Sequence, residues 1–148
     1  MRMKEDDDAL QASIKMLERT SKGVECSELE AITFQGIQAV ELRTGFLRCY
    51  FVIPIHAADQ DGNWHAGAIA TLIDGLGALT VNSFTGKSKA SVDLTISLYY
   101  SAKIQEEVEI EAKVVGSRGK LTSVLVEVKR KGNGELIALG KNWMTSKL

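Results

Sequence analysis

His65-Ala-Gly-Ala-Ile-Ala-Thr-Leu-Ile-Asp-Gly-Leu-Gly-Ala-Leu-Thr-Val-Asn82 is the stretch whose reading decides the fold. It is too long for a strand and too evenly apolar for an amphipathic surface helix. Asp74 and three glycines make it a poor membrane span, which leaves a helix buried in the core. Gly67, Gly75 and Gly77 each cost about 0.5–1 kcal/mol relative to Ala in a helix. Retaining three of them calls for close approach by neighbouring backbone, which a curved sheet wrapped round the helix supplies. The loop from Ala57 to Asn63 precedes it, with Asn63 the expected N-cap.

Downstream, the period changes from helical to two. Val92, Leu94, Ile96 and Leu98 alternate with Ser91, Asp93, Thr95 and Ser97, and Val108, Ile110, Ala112 and Val114 alternate with charged residues. A Gly116–Gly119 turn leads to Leu121–Arg130. Gly132-Asn133-Gly134 is a hairpin signal before Leu136–Met144. Four successive strands on short turns predict an antiparallel meander with one polar face.

Upstream, Leu47, Cys49, Phe51 and Ile53 share one face of a strand that Pro54 closes. Residues 30–42 read as mixed, with β-favouring Ile32, Phe34, Ile37 and Val40 and a turn or bulge at Gly36. Leu10, Ile14 and Leu17 predict an N-terminal helix over 6–22, with Asp6, Asp7 and Asp8 at its positive dipole end. The expected class is therefore α+β: one domain over 1–148, a curved antiparallel sheet around a long central helix, and an extra N-terminal helix.

The chain has 148 residues, with 18 Lys and Arg against 19 Asp and Glu. That balance argues against nucleic acid as a partner, since such binding needs concentrated positive charge. A small anionic ligand needs only a few local cations. Cys26 and Cys49 form no CxxC pair, and two histidines are too few for His-rich metal sites, so no metal is expected. Charge from Lys4 to Asp8 argues against a secretory leader. The final Ser146-Lys147-Leu148 is the tripeptide that the peroxisomal import receptor reads, so the expected location is the peroxisome, or the cytoplasm where the source has none.

Gly86-Lys87-Ser88 lacks the earlier glycine of a phosphate-binding loop, because Val81 stands there. No G-x-S-x-G elbow and no H-E-x-x-H pair occurs. Asp74 remains. A carboxylate among Ile69, Leu72, Ile73 and Leu76 is costly to desolvate, so it faces solvent, pairs with a cation or serves chemistry. His65, Ala66 and Gly67 open the same helix, where free N–H groups and the dipole favour a developing oxyanion.

The run Asn63-Trp-His65-Ala66-Gly67 through Asp74, followed by Ser91-Val92-Asp93-Leu94, resembles the hotdog-fold thioesterases of the phenylacetate-degradation and acyl-CoA thioesterase 13 group, over about residues 28–145. The resemblance implies hydrolysis of fatty or aromatic acyl-CoA, with no metal or organic cofactor, in a site between edge-paired chains, in a dimer at least and a tetramer in many relatives. Position by position, it places the carboxylate that activates water at Asp74 and the carbonyl-polarising N–H at Ala66, where the family has glycine. It places a water-positioning hydroxyl from the partner chain at Ser91. The family asparagine falls on Asp59, with Asn63 as its substitute. His65 and Gly67 complete the helix start, and Lys89, Arg118 and Lys120, with Lys103, are candidates for the CoA phosphates. Two rival readings stay open: a hotdog hydratase or dehydratase on the same thioesters, and a non-catalytic acyl-CoA binder.

Overall fold

The computed structural model describes residues 2–24, 26–87 and 89–146, with side chains described from Asp7 onward except at Lys89. The apolar run forms a helix over Ala66–Thr85, here α3. Before it come α1 (Arg2–Ser21), α2 (Glu28–Phe34), β1 (Gln38–Arg43), β2 (Phe46–Val52) and a 3-10 turn at Ile55–Ala57. After it come β3 (Lys89–Leu98), β4 (Glu107–Arg118), β5 (Leu121–Arg130) and β6 (Leu136–Ser146). The strands form one antiparallel sheet in the order β1-β2-β4-β5-β6-β3. The α+β expectation holds: the sheet packs its inner face on α3, and α1 and α2 cover part of the helix's other side.

Period-two alternation sets that inner face. Leu47, Cys49 and Phe51 of β2, Val108, Ile110 and Ala112 of β4, and Val126 and Val128 of β5 are buried against Ile69, Leu72, Ile73 and Leu76 of α3. Burying a side chain of this size contributes about 1.5–3 kcal/mol, so this face holds the fold together. Helix α3 is long and apolar enough to cross a membrane, but half of it is buried inside the protein, as a core helix requires.

Glycine sets how closely the layers approach. A Cβ on Gly140 of β6 would overlap Ile73 Cγ2, and one on Gly75 would overlap the Phe34 ring. On Gly77 it would press on Val124 Cγ1 of the sheet at 3.2 Å, whereas at Gly67 the neighbour is the His65 ring. Only one of the three helical glycines therefore answers to the sheet. The others answer to α2 and to the helix's own cap.

Four local expectations are corrected. Residues 28–34 are helical, because Ser27 and Glu30 form a reciprocal capping box that outweighs the β-favouring Ile32 and Phe34. The N-cap of α3 is His65, whose Nδ1 accepts the Gly67 N–H at 2.9 Å, and not Asn63. Strand β4 continues through a bulge at 114–116 to Arg118, so the turn is Gly119-Lys120, with Gly119 at φ 60°. Finally, β3 does not join a four-strand meander: it pairs with β6 at the far edge, leaving β4-β5-β6 as the meander. The crossover through residues 99–106 is tied down by Arg130, which donates to Ser101 O at 2.9 Å and pairs with Glu106.

Candidate active site

Asp74 lies two turns into α3 and is neither solvent-facing alone nor paired with a cation. Its Oδ1 accepts from Ser91 Oγ at 2.7 Å and from Asn142 Nδ2 at 3.3 Å. Asn142 Nδ2 also donates to Ser91 Oγ at 2.9 Å, closing a triangle of three side chains from α3, β3 and β6. Asn142 is 1% exposed, and its Oδ1 is buried without a partner. An unsatisfied buried acceptor costs roughly 1–3 kcal/mol, a penalty accepted here to aim two donors at one site. All three side chains leave Asp74 Oδ2 outside the triangle. A carboxylate oriented through one oxygen, with the other taking no hydrogen bond among the described residues, is equipped to accept a proton from water.

Ser91 reaches this triangle because of an irregularity. Strict alternation would turn it away from the face that carries Leu94 and Ile96. A bulge between Ser91 and Asp93 inserts Val92 as an extra residue, 60% exposed, and returns Ser91 to the helix side. The Ser91 hydroxyl thus donates to the carboxylate of its own chain. Asn142 was absent from the sequence reading. Its one visible signal is a polar residue at a buried parity, in step with Ala138, Gly140 and Met144 on β6.

The helix start forms a separate cluster. The Trp64 N–H donates to Ala102 O at 2.7 Å and the His65 N–H to Ala57 O at 2.8 Å, fixing the entry to α3. His65 Nδ1 accepts the Gly67 N–H, which is therefore already used in this cap. Gly67 therefore has no N–H to offer a ligand while His65 caps the helix, a correction to its expected binding role. The Ala66 N–H carries no hydrogen bond among the described residues and lines a cleft of about 260 Å³ with Asp59, Asn63, Leu98, Tyr99 and Tyr100.

In that cleft, Asp59 and Asn63 are neighbours. The Asp59 N–H donates to Asn63 O at 2.7 Å, and Asp59 Oδ1 accepts the N–H groups of Asp61 and Asn63, each at 2.9 Å. Asp59 organises the loop. Asn63, which pairs in a bridge with Lys103, is the residue of the two whose side chain carries amide donors for a carbonyl.

Eight residues of helix separate Ala66 from Asp74, about 12 Å along the axis. One thioester carbonyl cannot touch both in the same chain. Arg118 and Ala90 lie on one sheet row through Leu121 and Thr145, so the Arg118–Lys120 tip and the start of β3 share the Ser91 end of the sheet. The Lys89 side chain, like Lys147 and Leu148 of the terminal tripeptide, lies outside the described residues. No group of three or more His, Cys, Asp or Glu is placed to hold a metal among the described residues.

Known proteins resemble this chain in sequence and in fold. Mouse acyl-coenzyme A thioesterase 13 is 30% identical over 97 residues, 65% of this chain and 69% of that protein. A Caenorhabditis elegans protein carrying an esterase name is 29% identical over 109 residues, 73% of this chain and 64% of its own length. Among solved structures, zebrafish thioesterase superfamily member 2 superposes with a TM-score of 0.82 at 24% identity, covering 90% of this chain and 96% of that one. The E. coli PaaI protein from the phenylacetic acid degradation operon gives 0.79 at 17%, covering 97% and 96%. A Streptococcus pneumoniae thioesterase protein solved with coenzyme A gives 0.73 at 18%, covering 77% and 90%. The model of the thioesterase superfamily matches residues 61–137, the span from the helix entry to β6, and the chain belongs to that superfamily.

Proposed function

We propose that the protein hydrolyses acyl-CoA thioesters to free acid and CoA. The observation that carries this reading is the Asp74–Ser91–Asn142 triangle, a carboxylate held by two donors with one oxygen left unengaged. Asp74 takes a proton as water attacks the thioester carbon. The tetrahedral oxyanion rests on the Ala66 N–H at a helix start. The C–S bond then breaks, and the proton passes from Asp74 to the departing thiolate, so acyl-S-CoA and water become acid and HS-CoA.

The 12 Å gap between Ala66 and Asp74 supports assembly from two copies of this chain. Strand β3 is a sheet edge paired only with β6, with Val92 and Leu98 more than half exposed along it. Antiparallel pairing of two such edges sets the Ser91 end of one against the Leu98 end of the other. That brings Asp74 of each chain towards the other chain's Ala66 cleft. The functional unit is thus a homodimer at least, with a tetramer as its extension, and it acts in lipid or aromatic-acid metabolism. The sequence Ser146-Lys147-Leu148 supports peroxisomal import wherever it ends the chain in the cell.

The test is thiol release from a panel of acyl-CoA esters varying in chain length and aryl content. Release from at least one member, abolished by Asp74→Asn, is expected. Binding without release from any member would instead favour a carrier, and water addition to an enoyl-CoA without release would favour a hydratase.

A further inference from the structure

Asp74 stands between two residues that make glycine contacts on opposite sides of α3. An α-helix turns about 100° per residue, so Ile73 and Gly75 point about 200° apart and Asp74 lies about 100° from each. On the sheet side, Ile73 is fully buried, and its Cγ2 fills the place of a Cβ on Gly140 of β6. On the other side, the Phe34 ring of α2 fills the place of a Cβ on Gly75. Its Cζ would overlap that atom, with Cε2 at 3.0 Å and Cε1 at 3.3 Å. Three consecutive residues thus carry a contact with the sheet, the carboxylate, and a contact with α2.

Both contacts bear on the groups that hold Asp74. Gly140 and Asn142 lie two apart on β6 and face inward together. The depth at which Ile73 seats on Gly140 therefore also sets how far Asp74 Oδ1 stands from Asn142 Nδ2, now 3.3 Å. Contact with the sheet limits how far α3 moves inward, and the Phe34 ring limits how far it moves outward. The ring is itself anchored. Phe34 is 4% exposed, the Ser27–Glu30 capping box fixes the start of α2, and the Phe34 carbonyl accepts the N–H of Ile37 at 3.1 Å, one residue ahead of β1. The outer stop is referred back to the same sheet that carries Ser91 and Asn142. Glycine at position 75 costs helix stability relative to Ala, and the seat it leaves for the ring accounts for it.

Resting on the thioesterase reading above, we infer that Phe34 is a positioning residue for the reaction: seated on Gly75, and opposed by Ile73 on Gly140, it sets the depth of Asp74 against Ser91 and Asn142. A misplacement of about 1 Å in a reacting group costs on the order of 10²-fold in rate. The Asn142 bond has little stretch left, since a contact at about 3.6 Å is no longer a hydrogen bond. The support comes from a segment ahead of the span that the superfamily model matches.

Two single substitutions and their combination test this in the full chain. Phe34→Leu removes the ring atoms that reach Gly75, and Gly75→Ala puts a methyl where they stand. Each alone is expected to lower kcat roughly ten- to a hundred-fold, with KM within about two-fold, because Phe34 acts through Asp74. Together, the new methyl fills the space that the shorter side chain vacates, and kcat returns to within about three-fold of wild type. Leu17→Ala, a loss of bulk on α1 at an equally buried position, lowers stability and leaves the kcat of the folded protein unchanged. An unchanged kcat in either folded single variant, a double variant no faster than the slower single one, or an equal fall in Leu17→Ala overturns the inference. The side-chain amide signal of Asn142 in a nitrogen-15 spectrum, identified by its loss in Asn142→Leu, reads the geometry without turnover. Phe34→Leu moves that signal and Leu17→Ala does not; a signal that stays in place in Phe34→Leu overturns the inference. If no acyl-CoA is hydrolysed at all, the proposed reaction fails on its own, and the amide signal still decides whether Phe34 positions the carboxylate.

Discussion

Asn142→Leu separates what this residue does for the fold from what it does for the reaction. The substitution keeps the side-chain volume nearly constant, so no cavity opens. It removes the unpartnered buried Oδ1, a relief of roughly 1–3 kcal/mol, and it removes two hydrogen bonds from Nδ2. The bond to Ser91 is neutral and contributes about 1 kcal/mol, and the bond to the carboxylate, at 3.3 Å, belongs at the low end of roughly 1.5–3 kcal/mol. Gain and loss nearly cancel, so stability from urea denaturation is expected to change by no more than about 1.5 kcal/mol. Turnover has no such compensation. Losing one donor that holds Asp74, worth about 1.5–2 kcal/mol in aim, lowers kcat roughly ten- to thirty-fold at about 1.36 kcal/mol per decade. KM for the same acyl-CoA stays within about two-fold, since Asn142 touches no substrate. Combined with Asp74→Asn, the second substitution adds nothing, because its route to the reaction runs through Asp74. A destabilisation of about 3 kcal/mol, an unchanged kcat, or full additivity in the double variant would refute the positioning role.

Other outcomes follow from single contacts. Asp74→Asn keeps the Ser91 bond geometry but removes the base, so thiol release is expected to fall on the order of 10²- to 10⁴-fold with an unaltered circular dichroism spectrum. Gly140→Ala drives a methyl into Ile73 Cγ2 and is expected to destabilise by roughly 1–3 kcal/mol in a denaturant titration. Ser27→Ala breaks the capping box that holds α2 helical, and a loss of about 1 kcal/mol is expected, with faster amide hydrogen exchange confined to residues 28–34. Ser91→Ala removes the shorter of the two donors to Asp74, and its effect on kcat is expected to exceed that of Asn142→Leu.

The sheet and the central helix were legible because burial imposes a period. Alternation from Leu47 to Ile53 and from Val108 to Val114 marks the inner face residue by residue, and the apolar density of 66–81 marks a helix that belongs to the core. Strand order was not legible, since pairing of β3 with β6 instead of β4 depends on a crossover held by Arg130, and no local pattern encodes it. The α2 segment misled for the opposite reason. Its side chains favour strand, but a two-residue cap outweighs them, and caps are visible only when Ser27 and Glu30 are read together.

The site was half legible for a related reason. Asp74 stands out because it breaks an apolar pattern, and a group that breaks a pattern can be seen in one dimension. Ser91 fits its pattern and would have been assigned to the outer face, because a bulge is an interruption of register and not of composition. Asn142 follows the inward parity of β6 and looks like a misplaced polar residue until Asp74 and Ser91 are set against it. The three come from positions 74, 91 and 142, and only the closing of the sheet on the helix makes them one group. Ala66 shows the complementary limit. Its backbone N–H has the right chemistry, yet helix rise alone puts it about 12 Å from the carboxylate it must serve. On the two-chain site proposed above, the same distance makes dimerisation a condition of turnover. A charge placed on the β3 edge, such as Val92→Asp, should abolish thiol release and halve the mass in sedimentation together; a monomer that retained full activity would sink the two-chain site while leaving the fold untouched.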